Sequence, residues 1–341
     1  MNMAGVAPTS ALMANDDNEQ LFKVENLKVH FPVRQGIIFE KTVGHVKAVD
    51  GVSFTVRRGE TLGLVGESGC GKTTIGRCLL KLETPTGGNI SFNGQNIASM
   101  NAKQTLEYRR HVQAVFQDPY SSLNPRMSVG DIISEPILIH DQAMKFVERA
   151  RRVKTLLNVC GLPSNLADRY PHEMSGGQRQ RVGIARALAL TPQFIVCDEA
   201  VSALDVSIQA QIISLLEDLR DEFGLTYLFI GHDLSVVRHL CHRVAVMYLG
   251  KIAEIGNSDP VFSDPKHPYT KALLAAVPVP DPKIEKQRPH NYITGEVPSP
   301  MNPPPGCVFH PRCIDAHPDC SKNIPQSRNL DDGRSIACPY A

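Results

Sequence analysis

Apolar and polar positions alternate through residues 21–31 and again through 47–56, the period-two pattern of strands with one buried face. They predict an antiparallel pair, with residues 33–45 as a long loop-like insertion between its strands. Short, largely apolar runs follow: Thr61-Leu62-Gly63-Leu64-Val65, Val112-Gln113-Ala114-Val115-Phe116, Phe194-Ile195-Val196-Cys197 and residues 226–230. Such runs suit strands covered on both faces, as in a parallel sheet. Residues 73–82 read as a helix and 90–93 as a short strand. Helical periodicity dominates 128–190, including a basic amphipathic stretch at 145–159, with breaks at Gly161-Leu162-Pro163 and Tyr170-Pro171. Residues 207–222 place Ile208, Ile212, Leu215, Leu216 and Leu219 on one helical face and stop near Gly224. Residues 244–248 and 251–255, joined by Leu249-Gly250, read as a closing hairpin. Strands alternating with helices predict an α/β domain carrying an antiparallel β subdomain and a helical insert.

The ends of the chain carry no such periods. Residues 1–20 are small and polar, which predicts a loose, disordered tail. Between residues 278 and 311 there are ten prolines in 34 residues, so regular structure is expected mostly to end there. Over the whole 341 residues the hydrophobic share is 42%, the charged share 21% and the formal net charge +1. That balance fits a globular protein and argues against a nucleic-acid binder, which would be strongly basic. Glu148 interrupts the basic run of Lys145, Arg149, Arg151, Arg152 and Lys154, so the run reads as a solvated helix face. No stretch approaches the roughly eighteen consecutive apolar residues of a membrane span, and the start has no leader pattern, so a cytosolic protein is expected. In that compartment nine cysteines read as buried thiols or metal ligands rather than disulfides.

Candidate chemistry begins at Gly66-Glu67-Ser68-Gly69-Cys70-Gly71-Lys72-Thr73-Thr74, which fits the phosphate-loop pattern and lies between a predicted strand and helix. The glycines let the backbone wrap phosphates, Lys72 reaches the β- and γ-phosphates, and the Thr73 hydroxyl can ligate magnesium. The helix that follows points its free N–H groups at the same anion. Three further strands end in Gln117, in Asp198 with Glu199, and in Gly231-His232. Ligands of open parallel sheets bind at the carboxyl ends of strands, so these groups are expected to face the loop. Phe31, an aromatic at a strand end, is a candidate for stacking on an adenine ring, with a packed core side chain as the ordinary alternative.

Met174-Ser175-Gly176-Gly177-Gln178-Arg179-Gln180-Arg181, followed by a helix, resembles the signature of ATP-binding cassette (ABC) proteins. With the phosphate loop, Gln117, Asp198-Glu199, Ser202-Ala203-Leu204-Asp205 and His232, the ordered set covers about residues 21–256. A closer resemblance is to the ATPase subunits of bacterial oligopeptide and dipeptide importers, specifically the second of the pair. It is carried by Asp118-Pro119-Tyr120-Ser121-Ser122-Leu123-Asn124-Pro125, His267-Pro268-Tyr269-Thr270 and Gly295-Glu296-Val297-Pro298-Ser299-Pro300 leading to Gly306-Cys307. Met174 stands where the family usually has Leu, and Ala200 where Pro commonly follows the glutamate. The resemblance implies a P-loop NTPase cassette over 21–257, with a helical subdomain at about 118–185 and an extension at 258–341.

It also implies an ATP hydrolase that powers import. Phe31, Gly66, Ser68, Gly69, Cys70, Gly71, Lys72, Thr73 and Thr74 would contact the nucleotide. Thr73 and Gln117, with Asp198 behind a water, would hold magnesium. Glu199 would be the general base and His232 the γ-phosphate contact. Ser175, Gly177, Gln178 and Asp205 join the nucleotide contacts, with Ser175 and Gly177 acting on ATP held by a partner cassette. The implied partners are a related but different ATPase, two membrane-spanning permease subunits and, indirectly, a peptide-binding protein, with no nucleic acid. The implied location is peripheral, on the cytoplasmic face of the inner membrane. Cys307, Cys313, Cys320 and Cys338, spaced C-x5-C-x6-C-x17-C, match no zinc-ribbon spacing, and the residues alone leave an iron–sulfur cluster, zinc or unligated thiols open. The resemblance leans to a [4Fe-4S] cluster, because ATPases of this kind have been found with one in this tail. Cys70, Cys78, Cys160, Cys197 and Cys241 read as ordinary thiols.

Overall fold

A computed structural model describes residues 20–36, 41–277 and 295–341. Residues 1–19 of the expected N-terminal tail and the first prolines of the C-terminal run lie outside the described residues, while Gln20, assigned to that tail, begins a strand. Strands β1 (Gln20–Gln35) and β2 (Lys41–Arg57) are longer than the alternating stretches and take in most of the expected insertion. After β3 (Thr61–Val65), buried at every position, comes α1 (Lys72–Leu79). Strands β4 (Gly87–Phe92) and β5 (Gln95–Asn96) lead to α2 (Ala102–His111), whose start is fixed by a capping box between Asn101 and Gln104. Strand β6 (Val112–Val115) is followed by helices α3 (Pro119–Ser122), α4 (Val129–His140), α5 (Phe146–Val159) and α6 (Gly176–Leu188). Next come β7 (Phe194–Asp198), α7 (Val206–Phe223), β8 (Thr226–Ile230) and α8 (Leu234–Leu240). Helix α7 stops where Gly224 takes a left-handed φ of 64°. Strands β9 (Arg243–Tyr248) and β10 (Lys251–Asn257) form the expected hairpin; Leu249 and Gly250 both have positive φ, as a two-residue turn of this hand requires. Helices α9 (Ser258–Ser263) and α10 (Pro268–Ala275) and the short strands β11 (Arg328–Asn329) and β12 (Ser335–Ile336) complete the chain.

The chain divides into two compact units. One is built on Val56–Thr61 and Asn96–Gly231. Its strands β6, β7 and β8 are parallel, with Val115 opposite Cys197 and Asp198 opposite Ile230, so their carboxyl ends share one edge. Helices α4 to α6 form the helical insert, and Val182, Ile184 and Ala185 of α6 are fully buried. Tyr227 is also fully buried, and its hydroxyl donates to the Leu216 carbonyl at 3.1 Å, so no polar atom of that ring is left unpaired.

The second unit is built on Phe22–Thr55, Leu62–Gln95 and His232–Ala341. It holds a four-stranded sheet in the order β2-β1-β4-β5, with β1 antiparallel to β4. It also holds β3 parallel to β9, the β9–β10 hairpin, and β12 added antiparallel to β10. The extension was expected to be irregular, and mostly is, yet β12 extends the sheet. A buried ion pair fastens it: Arg334 donates to the Glu254 carboxylate at 3.3 Å, and their side chains are only 2% and 0% exposed. Glu254 also accepts from the N–H groups of Lys266 and His267, so its desolvated charge is met on several sides, as such a charge must be. Phe309 packs its ring against Tyr248 at 5.2 Å and Tyr269 at 5.3 Å. The extension thus has apolar anchors that its composition conceals. Among the described residues no helix is long and apolar enough to cross a membrane.

Candidate nucleotide site and cysteine cavity

The phosphate loop joins β3 to α1 in the second unit. Gly66, Gly69 and Gly71 have φ of 144°, 78° and 108°, conformations that side-chain-bearing residues rarely adopt. A Cβ on Gly66 would fall 2.1 Å from the Met247 carbonyl oxygen, and one on Gly71 would fall 2.2 Å from that of Ala48. Backbone crowding therefore demands glycine at both positions. Lys72 is buried, and its Nζ donates to the carbonyls of Gly66 at 2.8 Å and Glu67 at 3.1 Å, with Cys70 Sγ at 3.7 Å. The ammonium thus lies across the loop it serves. Ser68 and Thr73 are exposed and Thr74 is half-buried. Phe31, on β1 of the same unit, is 36% exposed, so its ring is presented rather than packed in the core. His232 follows β8 and is exposed.

The other unit carries the carboxylates. Gln117 is exposed beyond the end of β6, and Asp198 and Glu199 are half-buried at the end of β7. Glu199 has a φ of 48°, a strained backbone for a residue with a side chain. Its N–H donates to the Ile230 carbonyl at 2.9 Å and its carbonyl accepts from the Ser202 hydroxyl at 3.0 Å, which holds it there. Met174 and Ala200, the two departures from the family pattern, are both buried apolar side chains. The expected set of site residues is therefore divided between the two units.

The signature begins α6. Ser175 accepts from the Gln178 N–H at 3.3 Å, and the Gln178 side chain accepts from the Ser175 N–H at 3.0 Å, a reciprocal capping box. Gly177 lies so close to α7 that a Cβ would fall 2.6 Å from Ile208 Cγ2. Arg179 donates to the Pro171 carbonyl and lies 3.6 Å from the centre of the Tyr120 ring, which fixes the approach to the helix. Asp205 is exposed and precedes α7 without a side-chain cap bond.

Cys307, Cys313, Cys320 and Cys338 line one cavity of 530 Å³ in the extension. The Cys307 N–H donates to the Cys320 carbonyl at 2.7 Å, and Gly306 has a positive φ with no room for a Cβ beside that carbonyl. Among the described residues no group of three or more His, Cys, Asp or Glu side chains could hold a metal ion. A mononuclear zinc site, which gathers four Cys, His or carboxylate side chains at one point, is not formed among the described residues. The other five cysteines are buried, and burial pushes the thiols of Cys78, Cys160 and Cys197 up to about 12, so they stay protonated and inert.

Sequence reasoning missed Arg312, which binds Glu67 of the phosphate loop, and Tyr269, whose hydroxyl accepts from the Glu67 N–H. Tyr269 stood in the sequence only as part of a family motif and Arg312 in no motif at all, and neither position signals a contact with a loop some 200 or more residues earlier.

Residues 49–202 match the ABC transporter family model, and residues 253–320 match that of the oligopeptide/dipeptide transporter C-terminal region. The ATP-binding cassette MJ0796, solved as a dimer with ADP and Pi, superposes with a TM-score of 0.61 at 26% identity, covering 70% of this chain and 98% of that one. The chain is a member of the ABC transporter ATPase family. Within it the similarity is to oligopeptide and dipeptide transport ATP-binding proteins. AppF of Bacillus subtilis is 51% identical over 96% of this chain and 99% of its own length, and OppF of Escherichia coli is 50% identical over 89% and 92%.

Proposed function

We infer that this chain is the ATP-binding and ATP-hydrolysing subunit of an ABC importer for oligopeptides or dipeptides, working with membrane permeases and a substrate-binding protein. The phosphate loop carries the reading: three glycines at positive φ wrap the backbone ahead of α1, with Lys72 drawn across it. Hydrolysis requires the γ-phosphate charge to be neutralised, an attacking water to be held in line and bulk water to be kept out. Lys72 and the first N–H groups of α1 serve the first need. The oxygen donors of Thr73, Gln117 and Asp198 suit magnesium, which when bound would neutralise phosphate charge. Glu199 orients and deprotonates the water, and His232 contacts the γ-phosphate. Phe31 stacks on the adenine. Ser175 and Gly177, with Gln178 and Asp205 beside them in the nucleotide-contact set, act on ATP held by a second cassette, a related but different chain. ATP closes the pair and hydrolysis opens it, which drives the permeases from the cytoplasmic face of the inner membrane.

For the extension we propose a structural [4Fe-4S] cluster on Cys307, Cys313, Cys320 and Cys338. Support comes from the shared cavity and from the chemistry of four thiolates, which bind at the corners of such a cluster rather than at one point.

Glu199→Gln tests the hydrolytic assignment. ATP binding should persist while turnover falls by roughly a hundredfold to ten-thousandfold, the usual contribution of a general base. Near-normal hydrolysis would assign the base elsewhere. Purification from native membranes tests the assembly: permease subunits and a second ATPase should come with the chain.

A further inference from the structure

The extension reaches the phosphate loop itself. Glu67 follows Gly66, and Arg312 grips its carboxylate with both terminal nitrogens, Nη1 to Oε2 at 2.7 Å and Nη2 to Oε1 at 3.1 Å. A two-pronged contact of this kind fixes orientation as well as distance. Nη1 also donates to the Tyr248 hydroxyl at 3.3 Å. The Tyr269 hydroxyl accepts from the Glu67 backbone N–H at 3.0 Å, and the Glu67 carbonyl accepts from Lys72 Nζ at 3.1 Å. Glu67 is thus held at its side chain and its N–H by residues outside the loop, while its carbonyl bonds the phosphate-binding lysine. The holding residues are themselves fixed. Arg312 has a side chain 7% exposed, and it stands one turn beyond Phe309, which packs with Tyr248 and Tyr269.

The charges give this clamp a consequence for binding. A carboxylate in a loop that receives a polyphosphate repels the ligand unless it is neutralised, and it competes for the Lys72 ammonium. Arg312 neutralises the carboxylate and holds both of its oxygens. We propose that Arg312 and Tyr269 are positioning residues for nucleotide binding, which hold Glu67 so that Lys72 and the loop N–H groups are available to the β- and γ-phosphates. The C-terminal extension thereby sets the affinity of the cassette for ATP. This rests on the reading of the loop as the nucleotide site.

The test is the affinity of the full chain for a fluorescent ATP analogue with magnesium, measured well below each variant's melting temperature, alongside the ATP dependence of hydrolysis. Arg312→Gln should weaken binding by roughly tenfold, and Arg312→Lys, which keeps the charge and loses the fork, by less. Removing both charges in Glu67→Gln/Arg312→Gln should recover most of the loss, because no uncompensated carboxylate remains. Tyr269→Phe, which removes one hydroxyl and spares the packing, should weaken binding by about threefold. In each, KM should rise while kcat holds at saturating ATP. A lower melting temperature with unchanged affinity, or additive losses in the double variant, would overturn the proposal. Lys72→Ala is the separate control: unchanged affinity in that variant would overturn the loop reading, and the proposal with it.

Discussion

His267 shows how one side chain ties the extension to pH. It is buried, its Nδ1 accepts from the Tyr269 N–H at 3.0 Å, and it is hydrogen-bonded to the Ala337 backbone. Burial pulls its pKa down to about 4 from an ordinary 6.5. The unfolded chain therefore takes up the proton first as pH falls. The stability that neutral His267 contributes is complete above pH 6.5 and declines toward pH 4, by up to about 3 kcal/mol. His267→Asn keeps a cap acceptor for Tyr269 and removes the titration, so urea melts between pH 7 and 4.5 should show a shallower acid loss in the variant. Identical slopes would mean that the carboxylates carry the whole effect. Glu199 illustrates a different cost. Its left-handed backbone amounts to roughly 1–3 kcal/mol of strain, tolerated at the position assigned to the base.

Helix α6 joins structure to signalling at one residue. Ser175 is both its cap and the group proposed to reach a partner's ATP. Ser175→Arg should cost about 1 kcal/mol through the lost cap, lowering the melting temperature by a few degrees. ATP binding by the isolated chain should persist, and hydrolysis should fail because dimer closure is blocked. Loss of ATP binding in the isolated chain would instead place Ser175 on its own loop. At this scale the sequence was most informative where burial is complete: β3 and β8 have the bounds their apolar runs predict, since no solvent-facing position blurs the pattern. Strand β1 runs past the alternation through Pro32, which lies beyond the β4 ladder ending at Lys28, so its missing N–H breaks no bond there. The phosphate loop and signature were legible because their chemistry is local. Glu67–Arg312 was not, because its partners stand 245 positions apart and no short-range period encodes such a pair.

For the whole molecule, two proposed roles fall on one extension, one at the cysteine cavity and one at the loop clamp. Anaerobic purification should yield a brown protein with about four iron and four sulfide per chain, and Ser at any one of Cys307, Cys313, Cys320 or Cys338 should bleach it. A colourless anaerobic preparation would rule the cluster out. The Glu254–Arg334 pair also bears on how the protein is made. Glu254 belongs to a strand of the cassette sheet, yet its counter-ion is encoded 80 residues later. At a synthesis rate of roughly 5–20 residues per second, the ribosome needs about 4–16 s to supply it. Over that interval a newly made cassette carries a carboxylate that it cannot bury without its arginine. A message cut short before Arg334 would therefore yield not a smaller motor but a chain exposed to proteases and aggregation.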